Sequence, residues 1–312
     1  MNKKKNTSTL ILAAVFLVLG IIYFTTSYRP PEVAPGASLL FEGNNPDIDC
    51  IEITLPNHIG IVLTRKNGLW FMDKPFQFKA DDRYINNLVT VIQDVYIDGV
   101  ISNRPEAQQE FQVDSTGVAL KIFSAGNVLY DGVIGKHSQE IGHFYARRAG
   151  GRDIEIWRGM LSQDIRRSPD DWRDRTIFSI NQDDVLKIEA VEGNNKSTLQ
   201  FENSVWVYTE NGVQKPVDNT RVRSVIGVIS NLSAEDFANE DDIQQVVTRN
   251  YDMMVTLTVR NGDVLTYHLW NPTEKYTRWL LRKENGDLLY KFYDTYGNLL
   301  SLRYEDLQQP QL

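Results

Sequence analysis

Leu63-Thr-Arg-Lys-Asn-Gly-Leu-Trp70 and Leu199-Gln-Phe-Glu-Asn-Ser-Val-Trp206 are two copies of one pattern, and the chain is organised around them. In each copy an aspartate follows the tryptophan, Asp81 in the first and Asp218 in the second, and an apolar-periodic run comes next, at 85–96 and 222–232. The copies are 136 residues apart at the tryptophans and 137 apart from the aspartates onward. Agreement in order and spacing over this length predicts an internal duplication.

Each copy has the pattern of a β-hairpin, then a helix, then a β-meander. Asp81 or Asp82, and Asp218 in the second copy, can accept hydrogen bonds from the amides of a first helical turn. The helical runs place apolar residues on one face, and the segments after them alternate apolar and polar residues as strands do. The sequence therefore predicts an α+β fold of two tandem repeats, each an antiparallel sheet with a helix on one face.

The domain boundaries follow from changes in this pattern. A proline-rich stretch after Arg29 indicates a stiff spacer, and Ser168-Pro-Asp-Asp171 is typical of a helix start. The predicted divisions are a transmembrane anchor at 1–29, a spacer at 30–45, repeat unit 1 at 46–159, a helical connector at 160–180, repeat unit 2 at 181–300 and a polar tail at 301–312.

The anchor prediction depends on 23 uncharged residues between Lys5 and Arg29. As a helix, residues 9–28 would span about 30 Å, the thickness of a bilayer core, so membrane lipid is their predicted partner. The lysines at 3–5 favour a cytoplasmic N-terminus and a periplasmic or extracytoplasmic body on the inner membrane. The alternative is a cleaved signal peptide, but Thr25-Thr-Ser27 is a weak cleavage site and the apolar run is long for one.

Charge and cysteine content exclude several classes of function. Residues 1–29 carry +4, so the remaining 29 basic and 41 acidic residues give the body a net charge of −12. Nucleic-acid binding is therefore not expected, because it needs clustered Lys and Arg. Cys50 is the single cysteine, which excludes an intrachain disulfide. It is a poor nucleophile candidate, since Asp49 and Glu52 beside it would raise the pKa of the thiol.

No catalytic or cofactor motif is found. The sequence has neither a phosphate-binding glycine loop nor a Gly-x-Ser-x-Gly elbow. His137, Glu140 and His143 could contribute to a metal site, but their spacing fits no recognised ligand pattern and the second copy has no histidine there. We expect a solvated loop, no cofactor and no metal.

A possible interaction surface comprises Trp172, Arg173, Asp174 and Arg175 together with His137 and His143. Trp and Arg are favoured at the centres of interfaces. The alternative for Trp172 is that it holds the connector against the repeats. Likewise, Trp70 and Trp206 could stack on a ligand, although tryptophans at strand ends are more typical of a core.

Several short motifs resemble a bacterial family. They are Gly68-Leu-Trp70, Ile134-Gly-Lys136, Phe144-Tyr-Ala-Arg147 and Trp172-Arg-Asp-Arg175, and over residues 45–300 the chain is similar to the family called domain of unknown function 4340. That resemblance implies one N-terminal anchor and a repeated extracytoplasmic α+β unit. It also implies an accessory role beside ABC-2-type transporters and their gliding-motility-like auxiliary component, and it supplies no catalytic residues.

Our leading hypothesis is a non-enzymatic, membrane-anchored accessory or scaffold subunit of an ABC-2-type transport system, with the permease or auxiliary subunit as its partner. One alternative is an envelope glycan- or peptide-binding module, which requires exposed aromatic side chains. The other is a hydrolase that uses paired carboxylates, for which Asp170-Asp171 and Asp183-Asp184 are candidates, although caps and turns require the same residues.

Overall fold

The computed structural model of the chain describes residues 36–41, 45–273 and 278–308. The predicted anchor, most of the spacer and the last four residues of the predicted tail lie outside these ranges. Within them, no helix combines the length and apolarity that crossing a bilayer requires. The chain divides into two compact units between Arg173 and Asp174.

The first unit is built on a ten-stranded antiparallel sheet. Its strands are β1 (Ser38–Leu39), β2 (Cys50–Thr54), β3 (Gly60–Lys66), β4 (Leu69–Lys74), β5 (Phe78–Lys79), β6 (Tyr96–Ser102), β7 (Val118–Ser124), β8 (Asn127–His137), β9 (His143–Arg148) and β10 (Ile154–Arg158). Across the sheet the order is β1-β6-β10-β9-β8-β7-β2-β3-β4-β5. The helices are α1 (Asp82–Gln93), α2 (Ala107–Glu110), α3 (Leu161–Asp164) and a 3₁₀ helix (Pro169–Trp172).

The second unit has a nine-stranded antiparallel sheet. Its strands are β11 (Val185–Glu192), β12 (Asn195–Glu202), β13 (Val205–Glu210), β14 (Val213–Lys215), β15 (Asp236–Phe237), β16 (Met253–Val259), β17 (Val264–Trp270), β18 (Trp279–Lys283) and β19 (Leu289–Phe292). The order is β14-β13-β12-β11-β16-β17-β18-β19-β15. The helices are α4 (Asn219–Ser230), α5 (Glu240–Thr248), α6 (Asp294–Leu300), α7 (Tyr304–Leu307) and a 3₁₀ helix (Gln182–Asp184).

Apart from β1, the two sheets have the same strand order, with β11–β19 in the places of β2–β10. The first hairpin of each unit also turns in the same way. Asn67 and Gly68 both have positive φ, as do Asn203 and Ser204, and this conformation matches the twist of a two-residue hairpin. The prediction of a mixed α+β chain with two antiparallel sheets is confirmed.

The long helix of each unit begins at its predicted aspartate cap. Asp81 accepts from the Arg83 amide at 3.0 Å, and Asp218 accepts from the Thr220 amide at 2.8 Å. The apolar face of α1 (Ile85, Leu88, Ile92) and that of α4 (Val222, Val225, Ile226, Ile229) are buried. Each face belongs to the same hydrophobic cluster as the residues of its own sheet, so each unit has a core of its own.

The structure differs from the predicted connector (160–180) and from the described part of the predicted tail (301–308). Only α3 and the 3₁₀ turn are helical between 160 and 180. Beyond the turn the backbone is extended, because Arg173 and Thr176 form β-bridges with Ala80 and Ser233. Burial explains the difference. Apolar residues of both segments lie in the two cores: Leu161, Ile165 and Trp172 in the first, and Ile177, Phe178, Leu302 and Leu307 in the second.

Candidate functional site

Three ionisable side chains meet where β6, β10 and β9 lie side by side in the first sheet. Asp98 comes from β6, His143 is the first residue of β9 and Arg158 is the last residue of β10. In the sheet register Arg158 lies opposite both Tyr96 and His143. Strand pairing thus brings together residues that are far apart in the chain. We call Asp98, His143 and Arg158 the edge cluster.

Asp98 is the centre of the edge cluster. Its Oδ2 lies 3.0 Å from His143 Nε2 and 3.3 Å from Arg158 Nε, and its Oδ1 accepts from Arg158 Nη2 at 3.3 Å. The Arg158 guanidinium also lies 4.6 Å from the centre of the Tyr96 ring. All three cluster side chains are nearly buried, at 9–12% exposure. A carboxylate at this depth needs charged, hydrogen-bonded partners, and Asp98 has two.

The second unit has a cluster at the corresponding positions. Glu235 follows Asp98 by 137 residues, and Arg278 and Tyr293 follow His143 and Arg158 by 135. Arg278 Nε donates to Glu235 Oε2 at 2.7 Å, and its guanidinium lies 4.6 Å from the centre of the Tyr293 ring. Both units therefore centre this cluster on a carboxylate, while the partner residues differ.

The environment of Glu235 favours its charged form. Partial burial raises the pKa of this carboxyl, but hydrogen bonds from Arg278 and Tyr293 outweigh it, so the pKa lies below its ordinary range. The Arg278 side chain is 39% exposed. The second cluster is accordingly the more solvated of the two.

Two exposed apolar side chains accompany the edge cluster. Ile141 is 98% exposed and Met160 is 53% exposed. The backbones next to these two residues meet, because the Gly159 amide donates to the Gly142 carbonyl at 2.8 Å. The Ile141 carbonyl also lies 3.1 Å from His143 Nδ1. We call Ile141 and Met160 the apolar patch.

The two histidines of the predicted interaction surface lie at the two ends of one loop. His143 belongs to the edge cluster, whereas His137 is exposed, with Nε2 3.3 Å from Ser162 Oγ. Among the described residues no group of three His, Cys, Asp or Glu side chains is placed to hold a metal ion. The loop between them therefore exposes His137 and Ile141, whereas His143 is held in the edge cluster.

The other predicted surface residues are engaged within their own units. Trp172 is fully buried in the first core. Arg173 donates to Asp170 at 2.9 Å and lies 4.2 Å from the centre of the Phe78 ring. Asp174 accepts from the Thr176 amide at 3.0 Å, and Arg175 donates to the Glu235 carbonyl at 3.0 Å. The Trp172 side chain is therefore not accessible to a partner, which corrects the prediction that it lies at an interaction surface.

Burial of the tryptophans removes the main support for the glycan-binding alternative. Trp70, Trp206 and Trp279 are only 1%, 6% and 5% exposed, whereas stacking on a sugar needs an open ring face. The paired acids also have structural roles. Asp171 completes a capping box with Ser168, and Asp184 lies 3.5 Å from Arg260.

Cys50 has the environment that the sequence predicts. Burial raises the pKa of its thiol most, and Glu52, Asp49 and Asp73 raise it further, to about 11. A thiol of this kind is a weak nucleophile near neutral pH, because only the thiolate attacks.

Sequence reasoning missed Asp98 and Arg158. The signal was available for Asp98, since the ungapped 137-residue offset that relates the helices continues to Glu235. Arg158 had no comparable signal, because the second copy has Tyr293 in its place. Only the pairing of β10 with β6 shows that Arg158 faces Asp98.

The comparisons with known proteins give one match. The family model described as "Domain of unknown function (DUF4340)" matches residues 70–252, which is more than half of the chain. No curated protein and no solved structure shows significant similarity. The match runs from Trp70 across the unit boundary to the start of the second meander. The chain therefore belongs to the DUF4340 family.

Proposed function

We propose that the protein is a membrane-anchored, extracytoplasmic accessory or scaffold subunit of an ABC-2-type transport system and catalyses no reaction itself. The observation that carries this proposal is the run of 23 uncharged residues between Lys5 and Arg29, in front of an acidic folded body. Such a run is long enough to span a bilayer. Family membership supports the transport context through the association that the resemblance implies.

The proposed topology is a single span with the N-terminus in the cytoplasm. Lysines at 3–5 precede the run, and positive charge is retained on the cytoplasmic side. Protease added to intact spheroplasts should then digest the body, whereas an N-terminal epitope should stay protected. Protection of the body would contradict this topology.

The proposed docking surface for the transporter is the apolar patch. Its two side chains are the kind of apolar anchor that an interface buries, and the edge cluster beneath them keeps the loop in place through the His143–Asp98 contact. Loss of a side chain that is a hot spot of an interface costs about 2 kcal/mol or more, roughly thirtyfold in affinity. Aspartates at Ile141 and Met160 should therefore weaken docking strongly without disturbing the core.

The test is affinity purification of the tagged full-length chain from membranes in mild detergent. We expect the wild-type protein to recover a permease or auxiliary subunit, and the Ile141→Asp/Met160→Asp variant to recover little of it. Val213→Asp/Val264→Asp is the matched control, because these valines are 62% and 59% exposed on the second unit. Recovery of no transporter subunit by the wild type would refute the transport role. Equal losses in both variants would refute the docking surface alone.

A further inference from the structure

The second unit contains a cavity of about 210 Å³. The docking surface proposed above, Ile141 and Met160, does not include any residue of this cavity. Its walls include Phe201, Trp206, Arg223 and Arg260, together with Asp183, whose side chain is mostly exposed to solvent. Two arginines beside two aromatic rings form an unusual wall in a body whose net charge is −12. Three of the wall residues, Trp206, Arg223 and Phe201, differ in their contacts from the residues at the same positions of the first unit.

The two tryptophans are held alike through their backbones. Trp70 N–H donates to Asp82 Oδ1 at 2.8 Å, and Trp206 N–H donates to Asn219 Oδ1 at 2.7 Å. Their indoles differ. Trp70 Nε1 donates to Asn86 Oδ1 at 3.2 Å. The residue 137 positions after Asn86 is Arg223, which has no acceptor to offer.

Within the described residues, the Trp206 indole N–H therefore has no hydrogen-bond acceptor. Trp206 is 94% buried, at 6% exposure, and lines the cavity. The Nε1 atom itself is not sealed from solvent, so this N–H is free to donate to an acceptor from outside the chain. An acceptor atom brought into the cavity by a ligand can take the place of water at this N–H.

A second residue beside the matched tryptophan also differs between the two units. In the first unit Arg65 lies 5.8 Å from the centre of the Trp70 ring and forms an ion pair with Asp47. The residue 136 positions after Arg65 is Phe201, whose ring lies 5.3 Å from the Trp206 ring. In the first unit this position is thus occupied by a cation, Arg65, together with its carboxylate partner, Asp47. The second unit lines it with an apolar ring.

The arginines of the cavity are held by weak contacts. Arg223 lies 3.9 Å from Asp183, and Arg260 lies 3.5 Å from Asp184. Both arginine side chains are more than half exposed. Exposed ion pairs of this length stabilise little, so either arginine can turn to a ligand. The Arg260 guanidinium is kept near the cavity by a 3.0 Å bond to the Asp183 carbonyl.

We propose that this cavity binds a carboxylate carried on a short aromatic or apolar stem. The carboxylate accepts hydrogen bonds from the Trp206 indole and the Arg223 guanidinium, and Arg260 supplies the second positive charge. The stem packs on Phe201 and the face of Trp206 that borders the cavity. The volume fits a side-chain-sized group and not a whole sugar or nucleotide, since ligand pockets for larger molecules exceed about 300 Å³. This binding does not depend on the transport role.

The test is titration of benzoate into the full chain in uncharged detergent micelles, with ¹⁵N-labelled indoles. Six tryptophans give six indole signals, and Trp206→Phe identifies the one from Trp206. We expect benzoate to shift that signal, and benzamide, which has the same shape without the charge, to bind at least about tenfold more weakly. A Trp206 signal that benzoate leaves in place, or equal binding of benzamide, would overturn the proposal.

Arg223→Asn is the sharpest variant, because it copies the first unit. The asparagine can accept from the Trp206 indole as Asn86 does from Trp70, so the variant should fold while losing benzoate affinity by about tenfold or more. Arg303→Asn is the charge-matched control, on an arginine in the second unit that is half exposed. Benzoate binding that survives Arg223→Asn, or falls equally in Arg303→Asn, would refute the assignment. Inorganic phosphate binding as tightly as benzoate would refute the role of the apolar stem.

Discussion

The two units share a strand order and a helix cap but treat their polar residues differently. In the first unit the Trp70 indole donates to Asn86 and Arg65 pairs with Asp47. Asp98 contacts both Arg158 and His143. The second unit places Arg223 where the first has Asn86, and the Trp206 indole lines a cavity. A duplicated fold therefore tolerates changes of polar side chains wherever its apolar positions remain filled. One copy can then have a cavity beside a tryptophan whose counterpart is hydrogen-bonded to an asparagine.

The largest effect should come from removing the matched tryptophans. Trp70→Ala should lower the free energy of unfolding of the first unit by about 4–5 kcal/mol, because a fully packed ring and its hydrogen bond are lost. Trp206→Ala should cost about 3 kcal/mol, since that ring already borders a cavity. Hydrogen exchange of the strand amides in each unit measures the two losses separately. Equal losses would mean that the cavity is filled by protein in solution.

The next largest effect should come from neutralising Asp98 and Glu235, the central carboxylates of the two clusters. Asp98→Asn leaves Arg158 nearly buried beside a neutral amide and should cost about 2 kcal/mol. Glu235→Gln should cost less than about 1 kcal/mol, because Arg278 reaches solvent. Chemical denaturation of the two variants, followed by exchange in the affected unit, checks the order. A larger loss for Glu235→Gln would reverse our account of burial at the two sites.

The helix caps should behave alike in both units. Asp81→Ala and Asp218→Ala each remove an acceptor from first-turn amides and should each cost about 1 kcal/mol. Replacement by Asn or Ser at either position should restore most of the stability, because both residues cap well. Thermal unfolding of the six variants is the measurement. A cost confined to one unit would show that the two helices do not begin in the same way.

The last contrast is one of reactivity and not of stability, and it concerns Cys50 and its counterpart Lys187, 137 residues later. In the second unit Lys187 donates a hydrogen bond to Glu189. Partial burial raises the pKa of Glu189, but the hydrogen bonds from Lys187 and Lys196 outweigh burial, and the pKa of Glu189 is lowered. In the first unit burial and Glu52 instead raise the pKa of the Cys50 thiol to about 11.

Because the folded thiol keeps its proton to higher pH than the unfolded one, its reaction with a disulfide reagent at pH 8 should be about a hundredfold slower in the folded chain. The difference should narrow as the pH rises toward 11, the pKa of the folded thiol. Stopped-flow thiol titration between pH 7 and pH 10 measures the rise, with the chain in denaturant as control. A folded-state rate equal to the denatured rate at pH 8 would contradict the burial of this thiol.

The sequence by itself determined the mixed α+β class, the two antiparallel sheets and the aspartate caps, because apolar periodicity and capping are local properties. It also indicated the raised pKa of Cys50, since two of the charges responsible are neighbours in the chain. Only the tertiary structure decided that Trp172 is buried, that 160–180 divides between the two cores, and that Asp98 meets Arg158. These outcomes depend on which strands pair and on how much apolar area each segment buries, and both quantities are set by contacts between residues distant in the chain.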